Sequence, residues 1–209
     1  MKILIINGSA RKNGFCNTIA TILKKELGKK DTETAIYTLA ENNIKFCIGC
    51  LTCCEEEKKY CFIDDDTKQV YRLIEQADSI VYISPIYECF ISGILKNFLD
   101  RINHYTSFYK LAGKTINLIL SGVQEVDCDI KEFSNKHVIP HIVEYFKNYS
   151  TITHTQPVFL GFIHHDDHRS IKNKDEDNLN NKIREMAKQI LHQTINQEMI
   201  ENSKNPYIV

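Results

Sequence analysis

The sequence predicts an α/β fold: a doubly wound, five-stranded parallel sheet with helices on both faces. Short apolar runs recur along the chain, and each is followed by a longer amphipathic stretch, which is typical of parallel strands joined by crossover helices. The chain has 209 residues, 43% of them hydrophobic, which is enough to bury one core of this kind. The sequence contains no internal repeat and no Pro/Gly-rich linker, so it indicates a single domain.

The first half of the chain predicts three strands and three helices. The run KILIIN precedes a polar loop, and the run IVYI is hydrophobic throughout, as expected of a central strand buried on both faces. Pro85 ends this third strand, because proline cannot donate to a central ladder. The predicted elements are a strand at Lys2–Asn7, a helix at about Asn17–Leu27, a strand at Thr34–Leu39, a helix at Gln69–Ala77, a strand at Ser79–Ser84 and a helix at Gly93–Asn103.

The second half predicts two more strands, each followed by a helix. Pro140 falls inside the first of these helices, where it predicts a kink. The predicted elements are a strand at Lys114–Ser121, a helix at Lys131–Tyr149, a strand at Pro157–Ile163 and a helix from about Asp177 to Gln193. We assign residues 1–195 to one domain with a cysteine-rich insertion at 47–61, and residues 196–209 to a polar C-terminal tail.

Charge and hydropathy exclude several classes of partner. The 26 Lys and Arg residues against 27 Asp and Glu give a formal net charge of -1, so no basic field points to a nucleic acid or a membrane. The first apolar run is too short to span a bilayer and lacks the cleavage site of a signal peptide. We therefore expect a cytoplasmic protein, in which the eight cysteines are thiols, metal ligands or redox groups rather than structural disulfides.

The loop after the first strand, NGSARKNGFCNT, is predicted to bind an anion. Backbone N–H groups at the start of the following helix, together with the hydroxyls of Ser9 and Thr18, can satisfy phosphate oxygens, and Arg11 adds positive charge. The spacing of Gly8 and Gly14 does not fit an ATP-binding Walker loop. A dinucleotide fingerprint is also excluded, because its second glycine is missing. A monophosphate such as that of FMN fits better, although a capped turn that binds nothing stays an alternative.

The segment after the third strand is predicted to lie in the same ligand crevice, because ligands of such sheets bind beyond the carboxyl ends of the strands. Tyr87 and Glu88 would stand there, with Tyr87 able to contact a flat heterocycle. Backbone amides nearby could stabilise a reduced, anionic flavin. The alternative is that Tyr87 is a half-buried packing residue. The pair Asp100 and Arg101, at the far end of the next helix, is expected to fix a helix or subunit contact rather than to catalyse.

A cysteine-rich segment lies between the second predicted strand and the second predicted helix. Cys47, Cys50 and Cys53 follow one another at Cys-x2-Cys-x2-Cys spacing, and a seven-residue loop returns Cys61 as a fourth sulfur ligand. This spacing fits a [4Fe-4S] cluster. Three alternatives stay open: structural zinc, reduced thiols without metal, and, least favoured, a disulfide. The adjacent Cys54 could replace Cys53 or be a spare thiol.

Two further polar clusters carry less weight. Residues 64–66 are three aspartates that precede a predicted helix, and we interpret them as an N-terminal cap rather than a metal site. Residues 164–168 combine three histidines and two aspartates after the fifth strand, where a solvated or interface loop is the favoured interpretation.

Three motifs in order, GSARKNGFCNT, FIDDD and SPIYECFISGILKNFLDR, resemble the NAD(P)H-dependent FMN reductase branch of the flavodoxin-like superfamily, over roughly residues 1–125. The cysteine motif is similar to that of iron-sulfur flavoproteins, which share the fold. The resemblance implies strand order 2-1-3-4-5 and cluster ligands at Cys47, Cys50, Cys53 and Cys61. It also implies an FMN phosphate held by Ser9, Arg11, Asn17 and Thr18, an isoalloxazine ring on Pro85, Ile86 and Tyr87, and a loop from Ser121 and Gly122 on the other side of the ring.

Two redox hypotheses follow, and neither needs a catalytic side chain, because the chemistry takes place at N5 of the flavin. One is an oxidoreductase that passes electrons from NAD(P)H through FMN to a quinone, a flavin or another small acceptor. The other is a carrier in which FMN and a [4Fe-4S] cluster exchange electrons with a ferredoxin-like partner. A third hypothesis, a binding module without FMN, would not explain the loop from Ser9 to Thr18 or the loop from Pro85 to Tyr87. A homodimer or homotetramer is expected, in which the segment 105–109 covers the flavin of a neighbour.

Overall fold

A computed structural model describes residues 1–30, 32–55, 60–104, 110–122, 135–164 and 173–201. Five parallel strands form its sheet in the order β2-β1-β3-β5-β6, and a two-residue strand, β4, pairs antiparallel with β3. Without β4 this is the predicted order 2-1-3-4-5, which is confirmed. The strands are β1 (Lys2–Asn7), β2 (Glu33–Thr38), β3 (Ser79–Tyr87), β4 (Phe90–Ile91), β5 (Thr115–Gly122) and β6 (Gln156–His164).

Helices cover both faces of this sheet because its strands are apolar on both sides. In β1, Ile3 and Ile5 pack toward α1 and α5, while Leu4 and Ile6 pack toward α2, α3 and α4. Alternate residues of a strand point to opposite faces, so a continuous apolar run produces two cores. The helices are α1 (Phe15–Gly28), α2 (Thr67–Gln76), α3 (Gly93–Arg101), α4 (Asn135–Thr153) and α5 (Asn173–Glu201).

Several predicted boundaries differ from the structure. Helix α5 continues to Glu201, through the first residues of the predicted polar tail. Helix α4 begins at Asn135 and continues through Pro140, while its predicted first residues, 131–134, lie outside the described ranges. Within those ranges, no helix is both long and apolar enough to cross a membrane.

The prediction that the third strand ends at Pro85 was wrong, because β3 continues to Tyr87. The carbonyl of Ile83 accepts a hydrogen bond from Gly8 N at 2.8 Å, so that residue faces β1. Pro85, two residues later, faces the same side, where β1 has already ended at Asn7. Proline therefore removes no ladder hydrogen bond there, and the strand can continue beside β5.

Candidate active site

The loop between β1 and α1 is held in shape by its own hydrogen bonds. Asn7 Oδ1 accepts from the N–H of Ser9 at 3.1 Å, and Ser9 Oγ accepts from the N–H of Arg11 at 3.1 Å. The N–H of Gly14 then donates to the carbonyl of Arg11 at 3.2 Å. The predicted residues Ser9 and Arg11 therefore meet in one turn. The Ser9 hydroxyl stabilises this turn and is also a potential phosphate ligand.

The two glycines of this loop allow its close approach to neighbouring atoms. A Cβ on Gly8 would lie 2.9 Å from Cβ of Leu95, and a Cβ on Gly14 would lie 2.9 Å from Cβ of Arg11. Gly14 is also the N-cap of α1, with no side-chain capping bond and no acidic residue in the first turn. This helix terminus therefore suits an anion, which would take the place of the missing capping oxygen.

Asn7 adds an amide donor that the sequence prediction missed. Its side chain is fully buried, and Nδ2 has no hydrogen-bond partner among the described residues. A buried donor without a partner is costly unless a ligand satisfies it. Asn7 stands at the carboxyl end of β1, so its position in the chain was the available clue. The loop and this amide together fit a phosphate group.

The other two predicted phosphate residues lie further along α1. Asn17 and Thr18 are the third and fourth residues of the helix, and their N–H groups bond back to the Gly14 carbonyl. Thr18 also lines a groove of about 400 Å³ with Ile22 and Arg184. The structure thus brings Ser9, Arg11 and Gly14 together in one turn, and it places Asn17 and Thr18 at the start of the helix that follows.

The segment Pro85–Tyr87 forms the first arm of a β-hairpin. Ile86 pairs with Ile91 and Tyr87 with Phe90, and the two residues between them, Glu88 and Cys89, have φ values of 43° and 62°. Positive φ at both central residues is the type I′ turn that joins tightly paired strands. Tyr87 is 41% exposed to solvent. The ring is therefore available to a ligand at the edge of the sheet.

A pair of buried serines ties this hairpin to the phosphate loop. Ser92 Oγ donates to the carbonyl of Gly8, and it also accepts the N–H of Leu95 as the N-cap of α3. The N–H of Ser92 donates to Ser84 Oγ at 3.0 Å. Neither serine was predicted. Their contacts span up to 84 residues of sequence, so no local pattern could show them.

Ser121 and Gly122 complete the edge at the end of β5. Ser121 pairs with Pro85 in the ladder and is buried. Burial raises the pKa of the Cys16 thiol to about 12, and the neighbouring Ser121 side chain lowers it by a smaller amount. Gly122 packs closely against the ring of Phe162, since a Cβ added to Gly122 would lie 3.3 Å from two ring carbons. The loop that follows, residues 123–134, lies outside the described residues.

All four predicted cluster cysteines line one cavity of about 410 Å³ beside the end of α3. Cys47 and Cys50 are exposed, while Cys53 and Cys61 are partly buried. Among the described residues, no three His, Cys, Asp or Glu side chains stand close enough to hold a metal ion. Thiolate is nevertheless the donor that iron-sulfur clusters require. The donor set and the shared cavity fit such a group.

The thiols of this cavity differ in environment. Burial, and next the neighbouring Cys54, raises the pKa of Cys53 to about 11. The exposed Cys50 has a lowered pKa, because its sulfur accepts hydrogen bonds from the side chain and then the backbone of Thr52. The sulfur of Cys50 is therefore the more easily deprotonated of the two.

A buried ion pair anchors the cysteine-rich segment to the end of α3. Arg101 Nη1 and Asp65 Oδ2 are 2.5 Å apart, and both side chains are inaccessible to solvent. Asp65 also accepts the N–H of Lys45 at 2.9 Å and the N–H of Thr67 at 3.0 Å. Of the predicted capping residues, Asp66 is the N-cap of α2 but makes no side-chain capping bond. Asp65 instead accepts the first N–H of the helix, and it also holds both ends of the segment 45–65 against Arg101.

With this geometry in place, comparison with known proteins identifies the family. The family model for NADPH-dependent FMN reductases matches residues 1–141. The chain belongs to the NADPH-dependent FMN reductase family. This is the branch that the three sequence motifs resembled, and the predicted fold agrees with it.

Curated relatives of this FMN reductase family member include iron-sulfur flavoproteins. One from Clostridioides difficile (strain 630) is 35% identical over 48% of this chain and 45% of its own length. One from Archaeoglobus fulgidus is 32% identical over 54% of this chain and 51% of its own length. The chain thus matches about half the length of these relatives.

Solved structures agree on the fold. RosB with bound 8-demethyl-8-formylriboflavin-5'-phosphate superimposes with a TM-score of 0.64 at 12% identity, over 100% of this chain and 90% of RosB. A flavodoxin from the domain Archaea has a TM-score of 0.52 at 11% identity, over 92% of this chain and all of the flavodoxin. The fold of this FMN reductase family member is therefore flavodoxin-like.

Proposed function

We propose that this chain is an FMN-dependent oxidoreductase that takes electrons from NAD(P)H and delivers them to a small acceptor such as a quinone or a flavin. One observation carries the proposal: the β1 loop, the β3–β4 hairpin and the end of β5 meet at the carboxyl edge of the sheet. Gly8 N bonds to Ile83 O, Ser92 bonds to Gly8 O, and Pro85 pairs with Ser121. Ligands of doubly wound sheets bind at this edge.

The residues of the site divide into phosphate and ring contacts. The phosphate would be held at the N-terminus of α1 by Ser9, Arg11, Asn17 and Thr18, with the amide of Asn7 as a further donor. Pro85, Ile86 and Tyr87 would lie against the isoalloxazine ring, with Tyr87 exposed enough to contact it. FMN, when bound, accepts and donates the reducing equivalents. The protein then supplies position and field, and no catalytic acid or base is required of it.

The cysteine cavity supports a second candidate function, electron transfer through a [4Fe-4S] cluster held by Cys47, Cys50, Cys53 and Cys61. The supporting observation is that all four thiols line one cavity. The names of the iron-sulfur flavoprotein relatives are consistent with it. In this form the chain would exchange electrons with a ferredoxin-like partner.

One preparation tests both candidates. Protein purified without oxygen is examined for flavin absorbance, iron and acid-labile sulfide, and its flavin is then mixed with NADPH, NADH or reduced ferredoxin. Flavin with rapid nicotinamide oxidation supports the reductase. Flavin with about four irons per chain, reduced only by ferredoxin, supports the carrier. Absence of bound flavin after FMN addition would contradict both.

Quaternary structure and location complete the proposal. We infer a cytoplasmic homodimer or homotetramer, in which a neighbouring chain covers the exposed flavin edge. The segment 105–109 that was predicted to make this contact lies outside the described residues. Light scattering of the FMN-loaded protein at micromolar concentration tests the assembly, and a monomeric mass would contradict it.

A further inference from the structure

The C-terminal end of α3 presents nitrogen donors to the cysteine cavity. Asn103, two residues past the helix, donates from Nδ2 to Cys54 Sγ at 3.4 Å, and it lines the cavity together with Cys53. Arg101, the last residue of α3, lines the same cavity together with Cys61. Both side chains therefore stand at the wall that carries the cysteines.

Arg101 is held in place independently of any sulfur contact. Its Nη1 donates to Lys45 O at 2.7 Å, and Nη1 and Nη2 both donate to the carboxylate of Asp65. The side chain is 1% exposed, and Nε has no hydrogen-bond partner in the described part of the chain. A planar guanidinium fixed in this way keeps its remaining donors in one position. The cavity therefore has preformed N–H donors on this wall, while the carboxylate of Asp65 balances the charge of the guanidinium.

Donors of this kind affect electron transfer in a predictable direction. A thiolate-bound cluster becomes more negative when it accepts an electron. N–H groups near its sulfurs stabilise the reduced form more than the oxidised form. Removing such a donor should lower the reduction potential.

We propose that Asn103 and Arg101 are positioning residues for the cysteine-bound centre, which orient its sulfurs and raise its reduction potential. This inference rests on the second candidate function, in which the cavity holds a [4Fe-4S] cluster. Under this proposal, two residues at the end of α3, distant in sequence from the four cysteines, act on the cysteine-bound centre, and Asn103 has a role other than packing.

The test compares two substitutions of Asn103, which follows α3, with a control substitution within α3. Asn103→Leu removes the N–H donors, and Asn103→Asp keeps the shape but places a carboxylate near sulfur. The control is Asn97→Leu, because Asn97 Nδ2 donates to the carbonyls of Ile44 and Lys45 and so anchors the same segment without a described contact to sulfur. Each protein is reconstituted anaerobically with iron and sulfide and titrated electrochemically, with the reduced cluster followed by EPR.

At the midpoint potential of the wild type, we expect the ratio of reduced to oxidised cluster in Asn103→Leu to be about fivefold lower than in the wild type. This difference corresponds to the loss of one hydrogen bond. Asn103→Asp should fall further, and Asn97→Leu should match the wild type. If Asn103→Leu takes up no iron, the isosteric Asn103→Asp carries the comparison.

Three results would count against the inference, and they are distinguishable. Wild-type protein that takes up no iron overturns the cluster function and this inference together. Iron-loaded Asn103 variants with the wild-type potential overturn only the inference. An equal shift in Asn97→Leu would assign the effect to anchoring of the segment, which also overturns it.

Discussion

The hydroxyl of Ser9 has two roles in the proposed phosphate site, and they lead to a prediction. It accepts the N–H of Arg11 within the loop, and it would also bond to a phosphate oxygen. We expect Ser9→Ala to weaken FMN binding by about 1 to 3 kcal/mol, because charge-assisted hydrogen bonds are lost. Fluorescence titration of FMN with the apoprotein measures this.

Thr21→Ala is the matched control for that change. Thr21 is exposed and lies further along α1, where its Oγ1 donates to the carbonyl of Asn17 at 2.9 Å. Loss of this hydroxyl should leave FMN affinity within about threefold of the wild type. Equal losses in Ser9→Ala and Thr21→Ala would contradict a specific role of the Ser9 hydroxyl in phosphate binding.

Asp65 carries the second prediction at the residue scale. Asp65→Asn leaves Arg101 as a buried charge without a full partner, which should lower the free energy of unfolding by about 3 kcal/mol at pH 7. Asp64→Asn is the control, because its carboxylate is 89% exposed beside Lys68 and such a pair contributes about 1 kcal/mol or less. Urea denaturation compares the two variants. Equal effects would contradict the buried-pair argument.

The effect of Asp65 should also depend on pH. Burial alone would raise the pKa of Asp65, but hydrogen bonds from Arg101 and Thr67 outweigh it and hold the pKa at about 2. In the unfolded chain the carboxyl titrates near 3.9. The stabilisation is therefore fully present above about pH 4 and is lost as pH falls through about 2. The difference between wild type and Asp65→Asn should shrink over that window.

At the scale of elements, the sequence predicts most strands well because their apolar runs are buried on both faces. β1 has the predicted bounds, and β2 and β5 differ from prediction by one residue at each end. The hairpin after β3 was missed, since the rule that Pro85 breaks a strand depends on where the neighbouring strand ends. The anchoring of Asp65 by Arg101 was missed for a related reason, because it joins residues 36 apart in sequence.

The β3–β4 hairpin gives a prediction at this scale. Glu88 and Cys89 both adopt positive φ, which costs about 1 kcal/mol or more for residues other than Gly, Asn and Asp. The double variant Glu88→Asn, Cys89→Gly should stabilise the protein by about 1 kcal/mol in urea denaturation. Cys89→Val, which places a β-branched residue in the same conformation, should destabilise it. The opposite order would exclude a type I′ turn here.

At the scale of the whole molecule, the sheet edge makes ligand binding and stability interdependent. The phosphate loop, the hairpin and α3 are joined through Ser92, whose bonds reach both Gly8 and Leu95. A ligand that holds this edge binds only the folded chain, so it must stabilise the fold as a unit. The residues at this edge come from three separate segments, the β1 loop, the hairpin with the start of α3, and the end of β5, and only the fold brings them together.

The last prediction uses this linkage to separate phosphate from ring recognition. FMN at about 100 times its dissociation constant should stabilise the apoprotein by about 2.7 kcal/mol, or roughly 5 to 10 °C in Tm for a chain of this size. Riboflavin, which has the same ring but no phosphate, should give a much smaller shift at the same concentration. Ser9→Ala should reduce the difference between the two ligands, whereas Thr21→Ala should preserve it. Equal shifts by FMN and riboflavin in the wild type would mean that the β1 loop binds no phosphate, and the ring contacts alone would then have to account for flavin binding.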